Sequence, residues 1–204
     1  MQTLGLQDES KGNDSRLKSI FWPTVENARD VDYLGQQGFW FCVLIGASQI
    51  GFALLAHNLF MLVLSAFGAS IYVLGGMGVR ENSWPAAAIV FTLYLLDTLA
   101  IALTPAIFTP GAVIRFLLLG LLLSNLRATL IASRWTAASE DEDRPERFDS
   151  TWRDKLVDVW PPKVWKALRI PFFILSAFWL FLSLIGLAGV LAMKAGILPA
   201  HLAH

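Results

Sequence analysis

Charge is scarce in this sequence. Asp, Glu, Lys and Arg make up only 16% of its 204 residues, against about 25% in soluble domains. Cysteine is scarcer still: Cys42 stands alone, which excludes an intrachain disulfide and a thiolate metal cluster. It sits within an apolar run, where a small buried hydrophobe is the expected role rather than a reactive thiol. The charge that exists is balanced, 16 basic against 16 acidic, so the basic excess that follows a nucleic-acid backbone is missing. The first 38 residues hold no short basic stretch leading into an apolar one, so no cleavable signal peptide is expected.

What the sequence has is hydrocarbon. Hydrophobic residues make up 55% of the chain, and the mean hydropathy is +0.56. They fall in long blocks, not in a stripe of helical period, which is the pattern of an integral membrane protein. A span needs about 20 apolar residues at 1.5 Å rise to cross a core about 30 Å thick. Residues 36 to 79 are apolar for about twice that length, so this segment folds back at its one polar break, His57-Asn58. The spans predicted are 38–56, 59–78, 85–104, 110–134 and 171–193. The fold class is therefore all-α, a five-helix antiparallel transmembrane bundle.

The flanking segments read differently. Residues 1–14 are polar and expected to be disordered, and 15–37 suit amphipathic helices at the membrane surface. In the insert 135–170, the acidic run Glu140 to Asp143 reads as a solvated linker, without the ligand spacing of a calcium loop. Beyond it, Trp152 and Trp160, then Trp165, recur on one face with Lys163, Lys166 and Arg169 opposite. This predicts two surface helices separated by Pro161-Pro162. With Trp22, these residues form an expected membrane-surface set in contact with anionic lipid. Residues 194–204 form a short tail. Its His201 and His204 are expected to bind no metal.

Orientation follows from where the cations lie. The segments before the first span, between the second and third, and between the fourth and fifth together carry 12 of the 16 Lys and Arg, and Arg134 ends the fourth span on the same side. The positive-inside rule then puts the N-terminus in the cytoplasm and the C-terminus outside. A multi-pass cell-membrane protein is the expected localisation.

Two kinds of residue stand out within the spans. Small side chains recur along one face, Gly120, Ser124, Ala128 and Ala132 in the fourth span, and Ser183, Gly186 and Gly189 in the fifth. Such faces let helices approach closely, so a protein partner or a second copy is expected. The second kind is polar. Asp97 lies roughly 18 Å along the third span from Pro85, and Arg115 roughly 7 to 8 Å into the fourth from Pro110, which brings them to similar depth. Either charge alone costs about 2.5 to 3.5 kcal/mol at the bilayer centre, so a pair is expected. It serves as a tether between helices or, with His57 and Gln49, as a polar site for an ion or solute. Arg127 lies near the cytoplasmic end and is expected to snorkel to headgroups. One acid and one base, without a nucleophile, a second acid or a metal triad, do not make a catalytic set. No enzyme activity and no cofactor are expected. The functional expectation is an accessory, scaffold or assembly subunit, with a small oligomeric transporter or channel as the alternative.

Overall fold

The computed structural model describes residues 22–25, 28–103, 110–135 and 151–197. Of these, 88% are helical and none lies in a strand. In chain order the helices are α1 (Ala28–Leu55), α2 (Leu59–Arg80), α3 (Trp84–Ala102), α4 (Pro110–Ala132), a single turn α5 (Trp152–Asp154), a π-helical segment (Lys155–Val159) and α6 (Trp160–Lys194). Five of the helices are long and apolar enough to cross a membrane: α1, α2, α3, α4 and the continuous run Lys155–Lys194.

Local chemistry sets the helix limits. His57 turns the chain with φ +50°, and Asn58 then caps α2 by accepting the N–H of Met61 at 3.2 Å. Asn82, at φ +56°, turns the chain again before α3, whose first turn contains Pro85. Thr151 and Asp154 form a reciprocal capping box that starts α5.

Two helices are longer than the sequence predicts. Residues 28–37 belong to α1 and do not form a separate surface helix, because no proline lies between Ala28 and Gly38 and the single Gly35 is tolerated where it packs against Val79. The rest of the predicted 15–37 segment, apart from residues 22–25, lies outside the described residues, as do residues 1–14, the acidic run of the insert and most of the tail. Pro161-Pro162 does not separate two helices either. The chain stays helical from Trp152 to Lys194, with the π segment immediately before the prolines. At about 60 Å, Lys155–Lys194 is twice as long as a hydrocarbon core is thick.

Helix α2 is the hub, and its glycines are the sockets. A β-carbon at Gly76 would lie 2.7 Å from Cys42 Cβ and 3.3 Å from the Phe39 carbonyl, both on α1. One at Gly78 would meet Ala86 of α3 at 2.6 Å and the Trp165 ring of α6 at 2.7 Å, and Gly75 receives Val90 and Phe172. Gly46 meets Ala69, Cys42 meets Gly76 and Gly35 meets Val79, so the α1–α2 contacts run in opposite chain order. Missing side chains let these backbones approach, and the gain is dispersion, which acts in lipid as well as in water.

Packing is uneven along the helices. On α2 every buried residue lies between Gly68 and Arg80; on α6 the last is Ser176; on α1 only Ala53 is buried beyond Gly46. On these three helices the Arg80 end is closely packed and the His57 end is loose, while Thr98 of α3 and Ala112 of α4 stay buried toward the latter end.

Candidate functional site

Asp97 and Arg115 meet. Arg115 Nη1 donates to Asp97 Oδ2 at 2.5 Å, joining α3 to α4. Each residue is five positions from the helix end that faces the 103–109 connection, so both lie about 7 to 8 Å from that end. The position of Asp97 on its helix is informative. Ala86, Val90 and Leu93 precede it at i, i+4, i+7 and are at most 2% exposed, the face that α2 and α6 cover. Asp97 completes the series at i+11, yet its side chain is 49% exposed, and that of Arg115 is 32% exposed. The covered face of α3 therefore opens at the level of the ion pair. Tyr94 and Tyr72, edge to face with ring centres 6.5 Å apart, are buried on the same stretch of α3 and the facing part of α2.

The other two polar residues of the expected site lie apart from this pair. His57 is exposed on the α1–α2 turn. Gln49 points its Oε1 into the notch of Gly68, where a β-carbon would lie 2.9 Å away, so it serves the α1–α2 contact.

A second arginine site was not anticipated. Arg80, 2% exposed, ends α2 at the closely packed pole. Its Nη1 donates to Asp32 Oδ1 at 2.5 Å and to the Asp32 carbonyl at 3.2 Å, and Nη2 donates to Asp158 Oδ1 at 2.6 Å. Its Nε donates to the Val157 carbonyl at 3.2 Å. That last bond explains how the helix survives the double proline. At α spacing the N–H serving Val157 O would come from residue 161, and at π spacing from 162; both are prolines and have none. The guanidinium supplies the missing donor. One cation thus ties α1, α2 and the insert together above an apolar floor of Phe39, Met77 and Val157.

The remaining expected residues divide by burial. Ser124, Ala128 and Ala132 are buried and Gly120 is half-buried, on a helix that lies against α3 and α1. Ser183 turns its hydroxyl back to the Trp179 carbonyl, and Gly186 and Gly189 have open space where a β-carbon would sit. Trp152, Trp160, Lys163, Lys166 and Arg169 are exposed. Trp165 is a correction: it is not a surface residue but a core one, 9% exposed, with its ring in the Gly78 socket against Phe172 and Phe173. Arg127 differs from expectation too. Its Nη1 donates to the Pro23 carbonyl at 2.9 Å, and its Cζ lies 4.9 Å from the centre of the Trp22 ring.

Among the described residues no three His, Cys, Asp or Glu side chains gather as a metal site. Comparison with protein-family models, with curated proteins and with solved structures finds no match.

Proposed function

We propose that this chain is a multi-pass membrane protein without enzymatic activity, an accessory or assembly subunit that associates with a partner or with itself through α6. In this reading α1 to α4 and the upper part of α6 are five antiparallel spans, the Arg80 end is cytoplasmic and the His57 turn is outside. Lys163, Lys166 and Arg169, with Trp152 and Trp160, then ring the cytoplasmic boundary, where each well-placed cation is worth roughly 1 kcal/mol toward anionic lipid.

The observation carrying the proposal is the unequal burial of the spans. Only 6% of the apolar window of α6 is buried within the chain, against 33% for each of the other four. Its far half presents Gly186 and Gly189 with nothing against them, although small residues on a spanning helix serve close approach to another helix. Cys42 is fully buried, so Gly186→Cys introduces the one accessible thiol. Expected is a cross-linked dimer, or a cross-link to a co-purifying subunit, in native membranes. A monomer at all concentrations, with no cross-link and nothing co-purified, overturns the reading.

A second reading, a small oligomeric transporter or channel, is supported by the half-exposed Asp97 on an otherwise covered helix face. In it Asp97→Asn abolishes flux in proteoliposomes while the fold persists. In a scaffold the same substitution lowers stability or assembly without touching any flux.

A further inference from the structure

The Asp97–Arg115 pair raises a problem that the described residues do not solve by themselves. At helix depth an acid and a base of this kind are expensive toward acyl chains, yet both remain substantially exposed where the α3 face opens. The exposed side chains at the same level of the two helices are apolar: Val113, Ile114, Phe116 and Leu117 of α4 and Leu99 of α3. The pair lies only about 7 to 8 Å from the helix ends, within reach of a lipid headgroup drawn slightly inward.

We propose that the opening binds the headgroup of one zwitterionic phospholipid of the phosphoethanolamine type. Arg115 takes the phosphate, Asp97 takes the ammonium, and the acyl chains lie along the exposed apolar side chains of α4. An acid and a base 2.5 Å apart carry no net charge, so they match a ligand that carries both signs. Arg115 uses Nη1 toward Asp97, and a guanidinium has a fork of donors with which to grip a phosphate at the same time. A single anionic headgroup leaves Asp97 facing like charge, and a neutral diacylglycerol leaves both groups unserved. This inference rests on the chain being membrane-embedded with its His57 end at one interface; it does not depend on α6 binding a partner.

The test is native mass spectrometry of the full-length protein in mild detergent, titrated with dioleoyl phosphatidylethanolamine, dioleoyl phosphatidylglycerol or dioleoylglycerol. Wild type is expected to retain one phosphatidylethanolamine about tenfold better than either competitor, the ratio one charge-assisted hydrogen bond supports. Asp97→Asn frees Arg115, so the preference reverses toward phosphatidylglycerol. Arg115→Gln loses both phospholipids. Melting temperature and monodispersity of each variant check its fold, and the wild-type preference stands as a test even where a variant fails to fold. Equal binding of the three lipids by wild type, or an unchanged preference in a folded Asp97→Asn, overturns the proposal. So does displacement by soluble phosphoethanolamine at the same concentration, which marks a site for a soluble zwitterion. The copy number in the same spectra reports on assembly separately, so failure of the lipid site and failure of the assembly reading are distinguishable.

Discussion

Gly38 of α1 lies so close to Asn125 of α4 that a β-carbon on it would fall 2.6 Å from the amide oxygen Oδ1 and 2.8 Å from Cγ. Asn125 is 2% exposed, and its amide nitrogen is already committed to the Leu121 carbonyl at 2.9 Å. Moving the amide would strain that bond, and the same added β-carbon would also lie 2.8 Å from Val79 Cγ1 on α2. Gly38→Ala should therefore destabilise by about 1 to 3 kcal/mol, the usual cost of overpacking. Gly76→Ala, against Cys42 Cβ and a backbone carbonyl, should cost a similar amount. Gly186→Ala meets no atom within 4 Å and should leave the melting temperature of the monomer unchanged or slightly raised. Thermal unfolding of the three variants in one detergent checks the ranking; a melting temperature for Gly186→Ala as low as that of Gly76→Ala would contradict this packing.

Arg80 should be the most sensitive charged position in the molecule. Replacing it with Met removes the cation that Asp32 and Asp158 share, whose side chains are only 15% and 13% exposed, and takes the guanidinium donor from the Val157 carbonyl. Breaking a buried pair in this way costs roughly 3 to 5 kcal/mol. Arg80→Lys should recover only part of this, since an ammonium is a single point and cannot serve three sites held by Nε, Nη1 and Nη2. Chemical denaturation in detergent gives the order wild type, Lys, Met. Hydrogen exchange should find the loss concentrated in Lys155–Val159, where the prolines make the backbone dependent on this side chain.

The five long apolar helices and the Asp97–Arg115 contact were legible because both are matters of length. Apolar blocks of about 20 residues and depth counting along rigid helices bring those two groups to one level. The opening around the pair was not legible, since nothing in the residues near Asp97 says that α6 has no buried side chain beyond Ser176. Arg80 was hidden for another reason. An arginine beside a polar turn looks like any cation at a membrane boundary, and its partners lie 48 and 78 residues away. A clue existed in Pro161-Pro162: two missing N–H groups in an otherwise helical pattern call for a donor from elsewhere. Trp165 shares its amphipathic pattern with the exposed Trp152 and Trp160. Only the Gly78 socket on a distant helix distinguishes them.

Thr151 and Asp154 exchange hydrogen bonds across the first turn of α5, 3.1 Å from the Asp154 N–H to Oγ1 and 3.0 Å from the Thr151 N–H to Oδ2. Thr151→Ala removes the cap and should cost about 1 kcal/mol locally. The turn is exposed, so the effect should appear as faster hydrogen exchange over residues 151–155, with little change in the global melting temperature. Thr151→Ser should behave as wild type.

Arg127 holds the segment before α1 by two contacts, the Pro23 carbonyl at 2.9 Å and the face of Trp22 at 4.9 Å. A charged donor to a carbonyl contributes about 1.5 to 3 kcal/mol and an exposed cation–π contact about 0.5 to 1. Trp22 is 44% exposed, so water competes for both and the lower values apply. Arg127→Gln should then speed exchange of the amides around Trp22 to Val25 on the order of tenfold, the equivalent of about 1.4 kcal/mol, and leave those of α4 protected. Trp22→Ala removes only the ring contact and should give a smaller change, of a few-fold. Arg127→Lys keeps a cation and one donor and should fall between the two. Identical exchange near Trp22 in wild type and Arg127→Gln would mean that the segment is held by something other than this guanidinium.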